Sequence, residues 1–380
     1  MPPRLRATSK RRWNGHKKQP AFWRALTQHC CINRPATFNH SRASSTEYRI
    51  YKLSTHSKSH SATPLRVAIQ MDPIEHIDIA GDTTFAMAEE AQARGHKLFE
   101  YQVDHLAWQG GQVTARAKPI HVQRIKGDHV SFGDPITLDL AKDVDVVLMR
   151  QDPPFDMAYI TAAHLLEFVS KDTIIVNDPF WVRSSPEKIV PLLFPDLMPP
   201  TLVTKDRTII EAFRAQHGDI VIKPLFGNAG AAVFRLKPED GNLGALLDLF
   251  FSTSREPLMI QAFVPGVFDG DKRIILIDGN PVGAINRVPK GNDIRSNLAV
   301  GGTAHDVSLS QADLEICARI GPTLRERGLL FVGIDVIAGR LTEINVTSPT
   351  GVRAIQAFSG VNCAALMWDA IEARAQVAML

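Results

Sequence analysis

The chain of 380 residues has few cysteines and lacks the motifs of several common protein classes. Its four cysteines, Cys30, Cys31, Cys317 and Cys363, show neither metal-ligand spacing nor a disulfide-dense pattern, as is typical of proteins in a reducing cytosol. No apolar run reaches the ~18–20 residues that a membrane span needs. The G-x-G-x-x-G fingerprint of Rossmann domains and the GK[ST] of Walker A loops are also absent. We therefore expect a cytoplasmic protein that has no membrane partner and is neither a Rossmann nor a Walker A protein.

The formal net charge of +3 conceals an uneven distribution of charged residues along the chain. Residues 1–62 contain 13 of the 43 lysines and arginines but only one of the 40 acidic residues, Glu47, so this segment carries +12 and the remainder −9. It is rich in Ser, His and Arg without clear periodicity, and we predict that it is disordered. A nucleic-acid-binding arm, an organelle transit peptide and sequence upstream of the true start all fit this composition. We favour the last, because a complete folded body can be traced from Leu65, and we expect no nucleic-acid partner.

The folded part begins with a β-loop-α-β pattern. Residues 65–73 predict a buried strand, and residues 97–103 predict the next one. Between them, Asp82 or Thr83 can cap a helix that ends at Gly95. This order predicts a parallel sheet. The loop after the first strand lies at its carboxyl end, where α/β proteins bind ligands.

More elements of an α/β domain follow. They are a small β excursion, a buried strand, an amphipathic helix and another strand, over residues 110–140, 144–150, 157–169 and 173–178. Residues 184–188 have the Ser, Pro and Glu of a helix start, and we place the first domain boundary there. Arg150, at a strand end, could bind a substrate carboxylate or form a surface salt bridge, and the sequence favours neither.

A lysine and a glycine-containing loop are the next chemical signals. Lys223 lies in an otherwise apolar predicted strand, where a buried ammonium is costly unless an anion pairs with it. The loop at residues 226–230 can turn backbone N–H groups toward phosphates. A plain hairpin with an edge lysine is the alternative, and the motif alone favours it.

Three arginines surround the next predicted hairpin. Residues 269–288 read as two strands that turn at Asp278, with Arg273 on one arm and Arg287 on the other. The polar loop at residues 290–302 carries Arg295 and is long enough to be a lid over a site. Arginines bind carboxylate and phosphate oxygens in a bidentate manner. A solvated, charged edge strand is the alternative.

The hairpin at residues 331–349 predicts a metal site. A three-residue loop would pair Asp335 with Glu343, and the period of two along a strand places Asn345 on the face of Glu343. Two carboxylates opposite each other repel, and a hard cation such as Mg²⁺ removes that cost. A two-residue loop would place Asp335 on the other face, and a surface hairpin with solvated acids is the alternative.

Taken together, the motifs resemble those of prokaryotic-type glutathione synthetases, which are ATP-grasp ligases. The resemblance extends over residues 65–374, nearly the whole folded chain. DGDKR at residues 269–273 and LTEINVTSPT at residues 341–350 are its most specific parts. The other matching motifs are MDP, MRQDPPFD, KP-x-x-G, IGPTL, G-x-x-FVGIDVI and DAIEAR, at residues 71–73, 149–156, 223–227, 320–324, 328–337 and 369–374.

The resemblance implies an α/β (α+β) fold, with a pre-ATP-grasp α/β domain at residues 63–186 and a two-part ATP-grasp domain at residues 187–376. It implies a role for each matching residue. ATP phosphates would be bound by Lys188, Lys223, Gly227 and Gly230, the adenine by Gln261, Phe263 and Val264, and the ribose side by Asp271. Mg²⁺ (or Mn²⁺) would be held by Asp335, Glu343 and Asn345. Substrate and transition-state contacts would come from Arg273, Arg287 and Arg295.

The implied reaction is the second step of glutathione biosynthesis. The carboxylate of γ-glutamylcysteine would attack the γ-phosphate of ATP, and glycine would attack the acyl phosphate and release phosphate. Another ATP-grasp carboxylate–amine ligase and a nucleotide-binding protein without ligase activity are the alternatives. Family analogy implies a homotetramer. This chain departs from the family in a loop at residues 226–230 that is poorer in glycine and lacks an early Asp, in Gln151 where some relatives have Lys, and in residues 1–62, which have no counterpart.

Overall fold

The computed structural model describes residues 63–227, 230–291, 293–298 and 301–378, so the predicted disorder of residues 1–62 lies outside the described residues. The first part of the described chain is an α/β unit built on one mixed sheet. Its strands are β1 Arg66–Gln70, β2 Lys97–Tyr101, β3 Leu106–Gln109, β4 Gln112–Val122, β5 Val130–Phe132, β6 Ile136–Asp139, β7 Val146–Met149 and β8 Ile174–Val176. Its helices are α1 Thr83–Ala93, α2 Met157–Glu167 and α3 Pro179–Ser184.

The predicted parallel sheet is confirmed, because β2, β1, β7 and β8 lie side by side and run in parallel. Strands β1 and β7 are almost wholly buried, as central parallel strands usually are. The predicted excursion is also confirmed: β4 pairs antiparallel with β2, and β3, β5 and β6 pair with β4.

The predicted helix start at residues 184–188 is wrong. Asp178 caps α3 instead, with Pro179 in its first turn, and α3 ends at Ser184. After that point the chain turns, and the carbonyl of Glu187 accepts a hydrogen bond from the Ile344 N–H at 3.0 Å. This long-range bond directs the segment along a strand near the carboxyl end of the chain, so the capping sequence does not initiate a helix.

The middle of the chain forms a four-stranded antiparallel sheet. Its elements are β9 Thr201–Thr204, α4 Arg207–His217, β10 Ile220–Pro224, β11 Phe234–Leu236, α5 Leu243–Thr253 and β12 Leu258–Ala262. Both helices contribute to the core of this sheet, because Ile210 of α4 and Leu247 of α5 belong to the same buried cluster as Ile222 of β10. Strand β10 has β11 on one side and β12 on the other, so Lys223 is not on an edge and the plain edge-lysine alternative is wrong.

The last part of the chain forms a five-stranded antiparallel sheet in the order β15-β14-β13-β16-β17. The elements are β13 Asp271–Ile277, β14 Asn280–Val288, β15 Thr303–Asp306, α6 Gln311–Glu326, β16 Phe331–Ile337, β17 Arg340–Asn345, α7 Val352–Ser359 and α8 Cys363–Ala378. Along β13, Ile275 and Ile277 pack in the same core as α7 and α8. Asp271 and Arg273 share their face by the period of two, so one face is apolar at one end and charged at the other.

The predicted three-residue loop between β16 and β17 is wrong, although the pairing that it was meant to produce is present. The turn has two residues, Ala338 at φ 47° and Gly339 at φ 72°. Positive φ angles at both residues are typical of a two-residue hairpin turn. Asp335 nevertheless pairs with Glu343, because a β-bulge between Asp335 and Val336 leaves Thr342 as an extra residue in β17. The bulge shifts the register by one residue and returns both carboxylates to one face. Among the described helices, none combines the length and apolar character needed to cross a bilayer.

Candidate functional site

A cavity of about 480 Å³ is lined by residues of the middle sheet and of the last sheet. All fourteen residues to which the family resemblance assigns a role line it: Lys188, Lys223, Gly227, Gly230, Gln261, Phe263, Val264, Asp271, Arg273, Arg287, Arg295, Asp335, Glu343 and Asn345. The structure therefore brings together residues that are up to 157 positions apart in the sequence. Their individual roles stay predictions.

The charged end of the last sheet depends on one glycine. Gly333 pairs with Asn345 across β16 and β17. A Cβ at Gly333 would lie 2.8 Å from Cβ of Pro349 and 3.2 Å from Cδ of Arg273. Because Gly333 has no side chain, the loop after β17 and the side chain of Arg273 can both approach β16 closely at this position.

Two arginines hold Asp335. Nε of Arg273 donates to Oδ1 of Asp335 at 2.6 Å, its Nη2 donates to Oδ2 at 3.1 Å, and Nη2 of Arg287 lies 3.0 Å from Oδ1. Burial by itself opposes ionisation of this carboxyl. The two guanidinium groups outweigh it and hold the pKa of Asp335 well below its usual range. Asp335 is therefore an anion at neutral pH.

Arg287 also contacts a second buried carboxylate. Its Nη2 lies 2.5 Å from Oδ2 of Asp271, and the same oxygen accepts a hydrogen bond from Ser296 Oγ at 2.7 Å. Burial raises the pKa of Asp271 to about 6, although Arg287 acts in the opposite direction. Oδ1 of Asp271 is buried and has no partner among the described residues.

The two lysines converge on Glu343. Nζ of Lys223 lies 3.4 Å from Oε1 of Glu343, and Nζ of Lys188 lies 3.5 Å from the same atom. Lys188 also donates to the carbonyl of Gly227 at 2.5 Å. Burial and the nearby Lys188 lower the pKa of Lys223, while the two ammonium groups outweigh burial and lower the pKa of Glu343. Two ammonium groups share one carboxylate here, so the site has positive charge available for an anionic ligand.

The donor set of the predicted metal site fits a hard divalent cation. Asp335 and Glu343 supply carboxylate oxygens, and Asn345 supplies an amide next to them on the same face. Two carboxylates and the side-chain amide oxygen of Asn345 make an oxygen-rich set, which matches the ligands that Mg²⁺ and Mn²⁺ take. The described ranges contain no group of three or more His, Cys, Asp or Glu side chains suitable for a metal, and this set has two carboxylates and one amide.

The residues predicted to hold adenine lie at the end of β12 and directly after it. Gln261 is buried, and its amide donates to Thr201 Oγ1 at 3.0 Å. The N–H of Phe263 donates to the Asp219 carbonyl at 2.9 Å. The guanidinium of Arg235 lies 3.7 Å from the centre of the Phe263 ring. These contacts fix an apolar wall with main-chain groups at one end of the cavity.

The predicted lid is partly described. Arg295 forms an ion pair with Asp293 at 2.7 Å, and residues 295–298 line the cavity. Gly230 has φ +76°, and a Cβ there would lie 3.3 Å from Arg295 Cγ and 3.1 Å from Asn297 Oδ1. The two loops therefore touch at a position where a side chain would be strained. Asn292, Ala299 and Val300 of this lid, with Asn228 and Ala229 of the phosphate loop, lie outside the described residues.

Arg150 is not a surface residue, so the alternative of a surface salt bridge is wrong. It is buried, donates to Thr84 Oγ1 at 3.1 Å and to the Pro349 carbonyl at 3.3 Å, and lies over the Phe331 ring. It does not line the cavity described above. Arg150 and Arg273 instead donate to the successive carbonyls of Pro349 and Thr350, which holds the loop after β17 in place.

An aromatic stack joins the predicted phosphate loop, residues 226–230, to the first unit. Phe226 occupies the place where the family often has Asp. Its ring lies 6.0 Å from the ring of Phe155 at 19°, and Phe155 lies 5.2 Å from Tyr159. Stacking of this kind stabilises aromatic pairs beyond the area that they bury. The loop's departure from the family pattern is thus matched by a packing partner in α2 and the loop before it.

We expect Phe155→Ala and Phe226→Ala to be coupled in stability. The double variant should lose about 0.5–1.5 kcal/mol less unfolding free energy than the sum of the two single variants, because each single change already removes the ring contact. Urea unfolding of the four proteins measures this. The T-shaped pair of Phe234 and Phe250, which belongs to the middle sheet and its helices, is the reference for the loss of unfolding free energy when two rings in contact are truncated to alanine. If the unfolding free energy lost in the double variant equals the sum of the losses in the two single variants, the two rings do not stabilise each other.

Three of the polar cavity residues that sequence reasoning missed make hydrogen bonds within the cavity wall. Ser296 binds Asp271, Thr347 binds Glu187, and Glu187 itself lines the cavity. Glu187 was assigned to a helix start, and Ser296 was read only as part of a polar loop. Glu187 is next to Lys188, Ser296 is next to Arg295, and Thr347 closely follows Asn345 in sequence, and this proximity to predicted site residues was the signal that could have found them.

Two family models match the chain. The N-terminal domain of prokaryotic glutathione synthetase matches residues 65–183, and the ATP-grasp domain of prokaryotic glutathione synthetase matches residues 187–360. A glutathione synthetase of Brucella melitensis is 56% identical over 310 residues, which cover 82% of this chain and 99% of that protein. A glutathione synthetase of Salmonella typhimurium is 44% identical over 312 residues, with 82% and 99% coverage.

Solved ATP-grasp ligases share the fold at low sequence identity. The D-cycloserine synthetase DcsG superposes with a TM-score of 0.58 at 16% identity, covering 81% of this chain and 99% of its own. The ATP-grasp ligase PsnB with its minimal precursor has a TM-score of 0.55 at 19% identity, covering 82% and 100%. These likenesses bear on the fold alone, and they agree with the α/β unit followed by two antiparallel sheets.

Proposed function

The chain belongs to the prokaryotic glutathione synthetase family, and from this premise we propose which residues of its cavity act in each part of the ligation. The enzyme is an ATP-dependent carboxylate–amine ligase that makes glutathione from γ-glutamylcysteine and glycine. It uses ATP with a divalent metal ion, as the ATP-grasp family does. The observation that carries the proposal is the convergence of Lys188, Lys223 and the Asp335–Glu343 pair on one cavity.

The metal is proposed to be Mg²⁺, with Mn²⁺ as a substitute, held by Asp335, Glu343 and Asn345. A structure of PsnB, which has the same fold, contains Mg and ADP. When bound, such an ion neutralises phosphate oxygens and so favours attack on phosphorus. The oxygen donors on one sheet face support the assignment, because Mg²⁺ prefers carboxylates and leaves coordination positions for phosphates.

The cationic residues are proposed to act on the transferring phosphoryl group. Lys188 and Lys223 share the carboxylate of Glu343, so the phosphates of ATP would provide the further negative charge that balances the two ammonium groups. Arg273 and Arg287 are proposed to stabilise charge in the transition state, and both are positioned by Asp335. Arg295 is proposed to close over the substrates, which protects the acyl phosphate from water.

The nucleoside end is proposed to bind beside β12. Gln261, Phe263 and Val264 would hold adenine through an apolar wall and main-chain groups. Asp271 would contact the ribose side, supported by its Oδ1, which has no partner in the described chain. Gly227 and Gly230 would allow the phosphate loop to approach ATP closely.

The domain limits, the assembly and the location are also proposals. We propose domains at residues 63–186 and 187–376, a homotetramer as implied by the family, and a cytoplasmic location. The location is supported by Cys317 and Cys363, which are both free and buried. Analytical ultracentrifugation of the full chain would test the assembly, and a dimer or monomer would contradict it.

Phosphate release with omission of each reactant tests the reaction. Release from MgATP should require both γ-glutamylcysteine and glycine, and glutathione should be the product. Release with γ-glutamylcysteine alone would indicate hydrolysis of an acyl phosphate and a different acceptor. Bound ATP without any release would favour a nucleotide-binding protein over a ligase.

Deletion of residues 1–62 should leave activity intact. The family models match from residue 65 onward, and the matched relatives are covered almost completely without this segment. Steady-state rates of the truncated and full-length proteins, compared at equal concentration, measure the effect. An insoluble or inactive truncated protein would contradict this prediction.

A further inference from the structure

Glu187 differs from the other carboxylates that line the inner cavity. Asp271, Asp335 and Glu343 each form an ion pair with a basic side chain. Within the described ranges of the chain, Glu187 lines the same cavity and forms no ion pair with any Lys, Arg or His. Asp152 also lacks an ionic partner there, but it is exposed at the rim.

The local structure holds Glu187 in place. Its Oε1 accepts a hydrogen bond from Thr347 Oγ1 at 2.7 Å, and its carbonyl accepts the Ile344 N–H at 3.0 Å. The first contact ties it to the loop after β17, and the second ties it to β17 itself, between the proposed metal ligands Glu343 and Asn345. One carboxylate oxygen is thereby used, and Oε2 has no donor in the part of the chain that the structure describes.

A partly buried carboxylate without a cation in direct contact is unfavourable. Burial, followed by the negative charge of Glu343, raises the pKa of Glu187, although the Thr347 hydrogen bond and the nearby charges of Lys188 and Arg273 act in the opposite direction. A cationic ligand placed at the free oxygen would remove this cost, since buried charges are normally paired. The fixed geometry and the missing counter-ion together point to a ligand that carries positive charge.

We propose that Glu187 binds the ammonium group of the acceptor glycine. This inference rests on the proposed function, because it adds a subsite to the same cavity. The acceptor nitrogen must lie beside the carboxyl group that is activated at the phosphoryl site, and Glu187 lies beside Glu343 of that site. The ammonium group of γ-glutamylcysteine is at the far end of that dipeptide from the reacting carboxylate, so it does not meet this condition.

Glu187→Gln tests the assignment, because it keeps the shape and the Thr347 contact and removes the charge. We expect the KM for glycine to rise about 10- to 100-fold, the effect of losing one charge-assisted hydrogen bond, with unchanged KM values for ATP and γ-glutamylcysteine. Hydroxylamine, which is a neutral nucleophile at neutral pH, should trap the acyl phosphate as fast in the variant as in the wild type. Normal trapping also shows that the variant is folded.

Two further variants sharpen the test. Thr347→Val removes only the hydrogen bond that orients Glu187, so the KM for glycine should rise less than in Glu187→Gln. Asp152→Asn removes a rim carboxylate of the same cavity and should leave the KM for glycine unchanged. An equal rise in Asp152→Asn would overturn the assignment by showing a general charge effect.

The outcomes separate this inference from the proposed function. A wild-type enzyme that forms glutathione, with an unchanged KM for glycine in Glu187→Gln, overturns the ammonium subsite alone. A rise in the metal concentration required for half-maximal activity, with trapping lost, overturns it in favour of a metal contact. A wild type that releases no phosphate with both substrates overturns the proposed function and the subsite together.

Discussion

Replacing Glu343 with glutamine is expected to lower turnover by at least about 100-fold, the upper end of what is lost when a group supporting a metal site is removed. The substitution removes a predicted metal ligand and also the carboxylate that Lys188 and Lys223 share. The two ammonium groups would then face each other without an anion in the nucleotide-free enzyme. We therefore expect a lower free energy of unfolding without ATP, and a large part of that loss to be recovered when MgATP binds.

The measurements are the steady-state rate as a function of metal concentration and urea unfolding with and without MgATP. Glu315→Gln is the matched control, since Glu315 is exposed on α6 and bonds only to Gln311. A rate equal to that of the wild type at every metal concentration would exclude Glu343 as a ligand. If the variant loses unfolding free energy but keeps normal turnover, Glu343 only stabilises the two lysines and has no role in the reaction.

Replacing Arg287 with alanine is expected to reduce kcat/KM by about 10²–10³-fold, as for the loss of a donor to developing negative charge. The structure adds a second consequence. Arg287 is buried between Asp271 and Asp335, so its removal takes away a positive charge that pairs with both of these buried carboxylates. Breaking a buried pair in this way costs about 3–5 kcal/mol of unfolding free energy.

Arg287→Lys separates the two effects. It keeps the charge and restores part of the stability, but a single ammonium cannot reach Asp271, Asp335 and a substrate oxygen together as a guanidinium can. We expect it to fold cooperatively and to remain slow. Arg319→Ala, which breaks an exposed ion pair with Asp196, is the control and should change neither quantity appreciably. A normal rate in Arg287→Lys would remove the proposed transition-state role.

The hairpin of β16 and β17 shows how much of the site the alternation of side chains along a strand predicts by itself. The period of two correctly placed Glu343 and Asn345 on one face, and the pairing of Asp335 with Glu343 is observed. The reason given for that pairing was wrong, because the turn has two residues and a bulge at Thr342 makes up the difference. A bulge depends on contacts on both sides of a strand, so local sequence does not reveal it.

Long-range contacts also decided the roles of Arg150 and of residues 184–188. Arg150 stands at a strand end in both the prediction and the structure, yet its partners Thr84 and Pro349 are 66 and 199 residues away. The residues with helix-capping character at 184–188 are turned by a bond from Ile344 to Glu187. Local preference was overridden in both places by a partner distant in sequence.

By itself, the sequence determined the family through its motifs and most of the elements through their periodicity, and both are local properties of the chain. The resemblance to that family, and not periodicity alone, supplied fourteen of the residues that meet in the cavity. Only the tertiary structure decided which charges pair: Arg273 and Arg287 with Asp335, Lys188 and Lys223 with Glu343, and no basic partner for Glu187 among the described residues. Pairing depends on distances of a few ångströms between strands that are far apart in sequence, and Coulomb energies and desolvation change steeply over that range.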